Sequence, residues 1–268
     1  MRRRARLNEK GPIQLLKKRG FLSDTTLDVL ESEVKELFEL DSLDDEPAFA
    51  VAAKRANPDE KISLLQVAWV ACVRKKARQL PPEKRYSRGD LRKLAARLSR
   101  SLGTPEDFDT LPDLFSQVGV RLVYVELLPG AKIDGCAMLI DSYPVIGLSG
   151  RGKRLDKVLF ALLHEIAHIT LEHVDAERLI IDDLDDKHSS ETGREKAANR
   201  DAETWTFPDG FPVVPARIGG PWVNQVATRL GIAPILVIGQ LQHRGRLEWR
   251  TSLAKNAPAV TDALERWR

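Results

Sequence analysis

The sequence predicts an α+β protein that is mainly helical, with a small antiparallel sheet packed against a helix that carries a candidate metal site. Three observations support this fold class. Apolar residues recur at helical spacing through most of the chain, whereas residues 120–148 are rich in β-branched and aromatic side chains. Soon after that stretch comes the run LLHEIAHITLEH, residues 162–173, which contains the HExxH pattern.

The composition is that of a globular protein. The chain has 268 residues, of which 43% are hydrophobic and 30% charged, enough for one large or two small domains. Its net charge of +3 gives no strong indication of a nucleic-acid or membrane partner. Cys72 and Cys136 are far apart and form no CxxC motif, which favours reduced core thiols. Because no membrane-length apolar run and no signal segment are found, we expect a cytoplasmic protein.

Residues 1–102 are expected to form a helical N-terminal region, and residues 103–268 a mixed domain that contains the HExxH run. Pro12 is typical of the start of the first helix. Ser23-Asp24 is typical of the cap of the second. Apolar spacing and capping residues predict further helices over residues 47–57, 61–80, 87–101 (capped by Ser87) and 104–119.

Three strands are expected in the β-rich stretch, at residues 120–126, 135–140 and 145–148. The second and third are joined by residues 141–144, Asp-Ser-Tyr-Pro, a composition typical of a turn. We therefore expect a small antiparallel sheet that precedes the HExxH helix. Its last strand could serve as an edge along which an extended peptide pairs.

The HExxH run itself has the phase that a metal site requires. His164 and His168 are four residues apart, so a helix places both imidazoles on one face. Apolar residues from Leu155 to Ile169 form a stripe on the opposite side and anchor the helix. Glu165 lies about 100° round from His164, where a general base for a water molecule on the metal belongs. The simpler alternative is a helix with two surface histidines and a solvated glutamate; the apolar stripe favours the metal, in a zincin-like arrangement.

A catalytic zinc site needs a third protein ligand. His173 is five residues beyond His168 and would point about 140° away on a continuous helix, so we expect it to cap the helix end or to polarise substrate. Glu195 is the better candidate, on a predicted helix over 192–205. Asn199, four residues on, shares its face and could orient a ligating histidine. The alternatives remain open: Thr192 and Glu195 also form a capping box, and further carboxylates nearby are Glu191, Asp201 and Glu203.

Two other segments have a possible function and a simpler explanation. The acidic residues 182–186 could hold calcium, but they lack the glycine and alternation of a calcium loop, which favours a solvated run. Residues 222–230 and 234–244 are predicted helices with a helix-turn-helix-like junction. The second helix offers Gln240, Gln242, His243 and Arg244 as base readers. Its apolar start, Ile235 to Ile238, favours packing in the core instead.

Two motifs together resemble the ImmA/IrrE family of zinc metallopeptidase-like proteins. They are HEIAHITLEH, residues 164–173, and EKAANRDAETWTFP, residues 195–208. The resemblance implies a Zn²⁺ cofactor held by His164, His168 and Glu195, with Glu165 as the catalytic residue. The residues of the second motif that fit the family are Glu195, Ala198, Asn199, Ala202 and Pro208, and those that depart from it are Ala197, Asp201, Trp205 and Thr206.

The resemblance extends to residues from about Pro12 onward and to residues 230–249, which are similar to Xre-type regulators that carry this domain. In those regulators a DNA-binding domain precedes residues like Pro12, and toxin genes are frequent partners. Only a short basic segment, with Arg2, Arg3, Arg4 and Arg6, precedes Pro12 here, so we expect a separately encoded or lost DNA-binding domain.

The expected function is a zinc-dependent endopeptidase that cleaves a protein, typically a DNA-binding repressor, with His173 or Tyr143 steadying the oxyanion. Manganese or iron could also fill a His₂Glu site. Two alternatives are a non-catalytic, antitoxin-like domain that binds a partner protein or ligand, and a regulator that binds DNA through residues 222–245.

Overall fold

A computed structural model describes residues 2–51, 62–175, 179–184 and 193–267. The described helices are α1 (Arg2–Asn8), α2 (Ile13–Lys18), α3 (Leu27–Phe38), α4 (Leu64–Arg78), α5 (Arg88–Ser101), α6 (Leu111–Ser116), α7 (Leu155–Thr170), α8 (Gly193–Thr206), α9 (Gly220–Leu230), α10 (Pro234–His243) and α11 (Thr261–Glu265). Short 3₁₀ turns cover Pro105–Thr110 and Ser252–Ala254. The strands are β1 (Arg121–Tyr124), β2 (Gly135–Ile140), β3 (Tyr143–Leu148) and β4 (Ile180–Asp182). The protein is therefore α+β, as predicted.

The four strands form one mixed sheet in the order β1-β3-β2-β4. β2 is antiparallel to both of its neighbours, but β1 is parallel to β3. The prediction of an antiparallel sheet was therefore wrong. The β2–β3 hairpin makes β3 run opposite to β2. β1 pairs with the edge of β3 that faces away from β2, and it runs in the same direction as β3. β3 is central, so the expectation that the last predicted strand would be an open edge was also wrong.

The β2–β3 hairpin turns over two residues rather than four. Asp141 and Ser142 have φ of 53° and 66°, and Ile140 pairs directly with Tyr143. Two consecutive residues with positive φ are typical of the tight turn whose twist matches the flanking strands. Tyr143 and Pro144, predicted in the turn, therefore belong to β3.

Helices cover both faces of the sheet. Because neighbouring residues of a strand point to opposite faces, Ala137 belongs to the core that includes α7, whereas Cys136 belongs to the core built with the N-terminal helices. The buried indole of Trp69 on α4 donates to Val125 O at the end of β1. α5, by contrast, contributes to the core on the α7 side. The N-terminal residues thus pack on both sides of the sheet.

Several helix boundaries differ from the prediction. α3 begins after Thr26, because the amide and hydroxyl of Ser23 bond the Glu33 carboxylate instead of capping the helix. Ser87 does cap α5, accepting from the amide of Asp90. The predicted helix over residues 104–119 divides into a 3₁₀ turn and α6. Of the predicted helix over 47–57, the part after residue 51 lies outside the described residues.

In the described part of the chain, no single helix has the length and apolarity needed to cross a membrane. Helices α9 and α10 reach the required length and apolarity only when taken together, and they are bent by 112°.

Candidate metal centre

Helix α7 places two imidazoles side by side. Its apolar stripe is buried, with Leu155, Leu162 and Ile166 each 0% exposed, so the helix is fixed between the sheet and its neighbours. His164 and His168, one turn apart, are equally buried, and their Nε2 atoms lie 2.9 Å apart. Two ring nitrogens at this distance share either a proton or a metal ion.

Two carboxylates from other elements converge on the same point. Glu195, in the first turn of α8, lies with Oε2 3.2 Å from His164 Nε2 and Oε1 3.6 Å from His168 Nε2. Asp182, the last residue of β4, places Oδ2 3.4 Å from His164 Nε2 and 3.6 Å from His168 Nε2. One ligand atom from each of the four residues can be chosen so that all lie within 4.8 Å of one another, and the group could hold a metal ion.

The spacing of these donors fits a tetrahedral ion. Bonds of about 2.0–2.1 Å to nitrogen and carboxylate oxygen place the corners of a tetrahedron about 3.3 Å apart. With one atom taken from each residue (Oε2 for Glu195), four of the six edges are given above, from 2.9 to 3.6 Å, and they scatter around that length. The residues present therefore fit a four-coordinate divalent ion.

His173 closes the helix end, as predicted, and also supports one of the histidines: its backbone amide donates to His168 O at 2.9 Å. α7 ends at Thr170, and Glu172 with φ of 59° turns the chain back. His173 Nδ1 then lies 3.0 Å from His168 Nδ1. Burial and the neighbouring His168 lower the pKa of His173 to about 4, which keeps it neutral and able to accept. Such a contact orients a ligating imidazole and selects its tautomer.

The electrostatics are those of a site that favours positive charge. Burial alone would lower the pKa of His164, but the carboxylates of Asp182 and Glu195 outweigh it and raise the pKa to about 10. Burial likewise opposes ionisation of Glu195, yet the two histidines hold its pKa well below the usual range. Without an ion, a proton on His164 takes its place, so metal binding would release that proton.

Glu165 lies beside this group but is fully buried between α7 and β2. A Cβ atom added to Gly135 would lie only 2.3 Å from Glu165 Oε1, so the strand approaches the carboxyl group at a glycine. Burial, followed by the charge of Asp182, raises the pKa of Glu165 well above its usual value. Neither of its oxygens has a hydrogen-bond partner among the residues described. A carboxyl with a raised pKa beside a metal site is suited to proton transfer.

A cavity of about 170 Å³ adjoins the group on the side of Glu195. Its apolar walls come from α7 and α10, through side chains such as Phe160 and Leu236, and Trp249 also lines it. An apolar cavity of about 150 Å³ accommodates a benzene ring. The space is thus large enough for an aromatic or long aliphatic side chain.

Of the two other residues predicted to assist the site, Asn199 shares the cavity with Glu195, whereas Tyr143 lies elsewhere. Asn199 lines the cavity, but its Oδ1 bonds no histidine and lacks a partner among the residues described. Tyr143 pairs with Ile140 at the far end of β2 from Gly135, and its ring lies under Arg121. Five residues of strand span roughly 17 Å, so Tyr143 is not placed to contact an oxyanion at the metal.

The remaining carboxylates weighed as ligands are engaged elsewhere. Asp201 forms an ion pair with Arg92, and Glu203 with Arg244. Glu191 and Thr192 lie outside the described residues, so the predicted capping box is not described.

Asp182 is the site residue that sequence reasoning missed. It belongs to the acidic run that we expected to be a solvated segment, but it is 6% exposed and Asp183 bonds Arg151. Asp185 and Asp186 lie outside the described residues. The available signal was the apolar triplet Leu179-Ile180-Ile181 immediately before the acids, which is typical of a short buried strand.

The helix-turn-helix-like segment is engaged within the protein. Gln240 and Gln242 are buried, and Gln242 donates to Glu248 O and Trp249 O. Arg244 contacts Glu203 and lies over the ring of Phe211. Ile235 to Ile238 are also buried, so α10 packs in the core around α7.

Comparison with known proteins finds no match: no family model, no curated protein and no solved structure is significantly similar to this chain.

Proposed function

We propose that the chain is a zinc-dependent endopeptidase of the ImmA/IrrE type, with a zincin-like centre, that cleaves a regulatory protein such as a DNA-binding repressor. The observation that carries the proposal is the convergence of His164, His168 and Glu195 at tetrahedral spacing, with Glu165 beside them. A carboxyl that can exchange a proton next to such a donor set is the minimum that metal-assisted hydrolysis requires.

The roles follow from the positions of the side chains. A zinc ion, when bound, supplies Lewis-acid chemistry that polarises a carbonyl and makes water more acidic. Glu165, in its ionised form, would take a proton from the attacking water and deliver it to the leaving amine. His173 holds His168 through their Nδ1 atoms. The neighbouring cavity would receive an apolar side chain of the substrate.

The test separates metal binding from chemistry. Glu165→Gln should retain the metal and abolish cleavage of a proteome-derived peptide library, because the amide cannot exchange the proton. Glu195→Ala should lose both metal and cleavage. New peptide termini from the Glu165→Gln protein would remove Glu165 from the role of general base.

A second candidate function is a non-catalytic metal-bound regulator that binds a partner protein, as in toxin–antitoxin control. Two observations favour it: Asp182 supplies a fourth protein donor, and Glu165 is fully buried. Sites with four protein ligands are usually structural rather than catalytic. Co-purification with a partner whose mass stays intact, together with no cleavage in the library assay, would favour this function over the peptidase.

A further inference from the structure

The carboxylate of Asp182 is buried and faces the two imidazoles of the centre. The residue is 6% exposed, and its Oδ2 lies 3.4 and 3.6 Å from the Nε2 atoms of His164 and His168. A buried carboxylate is costly unless a cation compensates it. A cation at the shared centre, either a proton on an imidazole or a metal ion, compensates this one.

Main-chain pairing, supported by the side chains of Asp134 and Arg151, places Asp182 there. Asp182 ends β4, whose three residues pair with Gly135–Ala137 of β2. Asp134 anchors the end of the strand: its amide donates to Asp182 O at 2.8 Å, and its Oδ2 accepts from Leu184 N at 2.9 Å. Arg151 then links Asp134 to Asp183. These contacts hold the backbone at Asp182 against β2, so withdrawal of β4 from β2 would take the carboxylate out of the centre.

Asp182 also stands where a reacting water would have to be. A general base has to face the open metal position. Asp182 is the direct cross-strand partner of Gly135, and a Cβ on Gly135 would point at the Glu165 carboxyl, so the side chain of Asp182 lies on the same face of the sheet as Glu165. Since His164, His168 and Glu195 account for three corners of the tetrahedron, the carboxylate of Asp182 takes the fourth, beside Glu165.

We propose that Asp182 is a fourth metal ligand that keeps the centre closed at rest, and that β4 must withdraw from β2 before an extended peptide can take its place beside the metal. The part that concerns the peptide rests on the proposed peptidase function; the closed centre does not. Withdrawal of β4 exposes the β2 edge, where an extended main chain can form the same ladder hydrogen bonds. Asp183 and Leu184, which follow Asp182, line the cavity, so their displacement also opens it toward the metal.

The first experiment measures access to the metal without any substrate. The full chain is loaded with Co²⁺ and titrated with azide, and the visible spectrum reports the cobalt ligands. Asp182→Asn should bind azide at least about tenfold more tightly than the wild type, because only a small fraction of the wild type is open. Glu203→Gln is the matched control, since it removes a carboxylate from the same cavity while leaving the four donors intact. Equal azide affinity in all three proteins would overturn the inference.

The second experiment locks the strand by a single substitution. Ile181 is the direct cross-strand partner of Cys136, and both are buried in the core on the side of the N-terminal helices. Directly paired Cα atoms lie about 4.5–5.5 Å apart, within the range that a disulfide spans. Oxidised Ile181→Cys should exclude azide and lose cleavage of the peptide library. A non-chelating phosphine reductant should restore both to the wild-type level. Equal azide binding and cleavage in the oxidised and reduced forms would refute withdrawal of β4.

The two proposals fail separately. If Asp182→Asn admits azide but the wild type cleaves nothing, the closed centre is supported and the peptidase function is lost. If the wild type cleaves in a Glu165-dependent manner, and oxidation of the Ile181→Cys variant leaves that cleavage unchanged, the inference is wrong and the function stands.

Discussion

The glycine beneath Glu165 offers a sharp test of the proposed catalytic role. In Gly135→Ala the new Cβ would lie 2.3 Å from Glu165 Oε1 and 2.9 Å from its Cγ, whereas comfortable contacts lie at about 3.5 Å or more. The carboxyl group therefore has to move by about 1 Å, and a misplacement of that size costs on the order of 100-fold in rate. The three atoms nearest to the new Cβ all belong to Glu165, which is not one of the four candidate metal donors. We expect normal metal content and a roughly 100-fold slower cleavage of a proteome-derived peptide library.

Gly147→Ala provides the control for general overpacking. Its Cβ would lie 2.8 Å from Val73 Cγ1 and 2.9 Å from Cys136 Sγ, on the sheet face away from α7. Both variants should lower the free energy of unfolding by about 1–3 kcal/mol, measured by urea denaturation, because each inserts a methyl group into a packed core. Only Gly135→Ala should lose cleavage. Wild-type rates in Gly135→Ala, or equal losses in both variants, would refute the placement of Glu165 as the proton-transfer group.

Three further predictions concern other parts of the molecule. His173→Ala removes the contact that orients His168 and should weaken metal affinity by about 10- to 100-fold, measured by competition with a chromophoric chelator; unchanged affinity would contradict that role. Burial opposes ionisation of Glu39, but Arg74 and Arg78 outweigh it and lower its pKa from 4.5 to about 2. The resulting stabilisation is present above the unfolded-state pKa and is lost as pH falls toward 2, so wild type and Glu39→Gln should differ in urea midpoint at pH 6 and converge near pH 2. A constant difference between pH 6 and pH 2 would be inconsistent with that ion pair. Finally, Arg244→Ala should leave any weak affinity for DNA unchanged, because Arg244 is paired with Glu203. If the affinity for DNA falls steeply with salt in the wild type and this dependence is lost in Arg244→Ala, α10 contacts DNA.

Local patterns were sufficient for the parts of the molecule that depend on neighbours in sequence. The four-residue spacing of His164 and His168 within an apolar run specifies both the helix and the shared face of the imidazoles, because both follow from 3.6 residues per turn. The bounds of β2 and the cap at Ser87 were also predicted, because each depends on residues close in sequence. Spacing named Glu195 as the better third ligand but left other carboxylates open, since spacing within its own helix does not say where that helix packs; the resemblance then favoured Glu195.

Tertiary packing decided the rest. Asp182 joins the centre because a three-residue strand adds to the edge of β2, and so short a segment has no periodicity to reveal which side chain turns inward. The parallel pairing of β1 with β3 depends on where the chain crosses the sheet, which no local propensity encodes. Glu165 is buried because β2 approaches it at Gly135, 30 residues earlier in the chain. The candidate metal centre is thus assembled by contacts between segments distant in sequence, and only the folded chain brings them together.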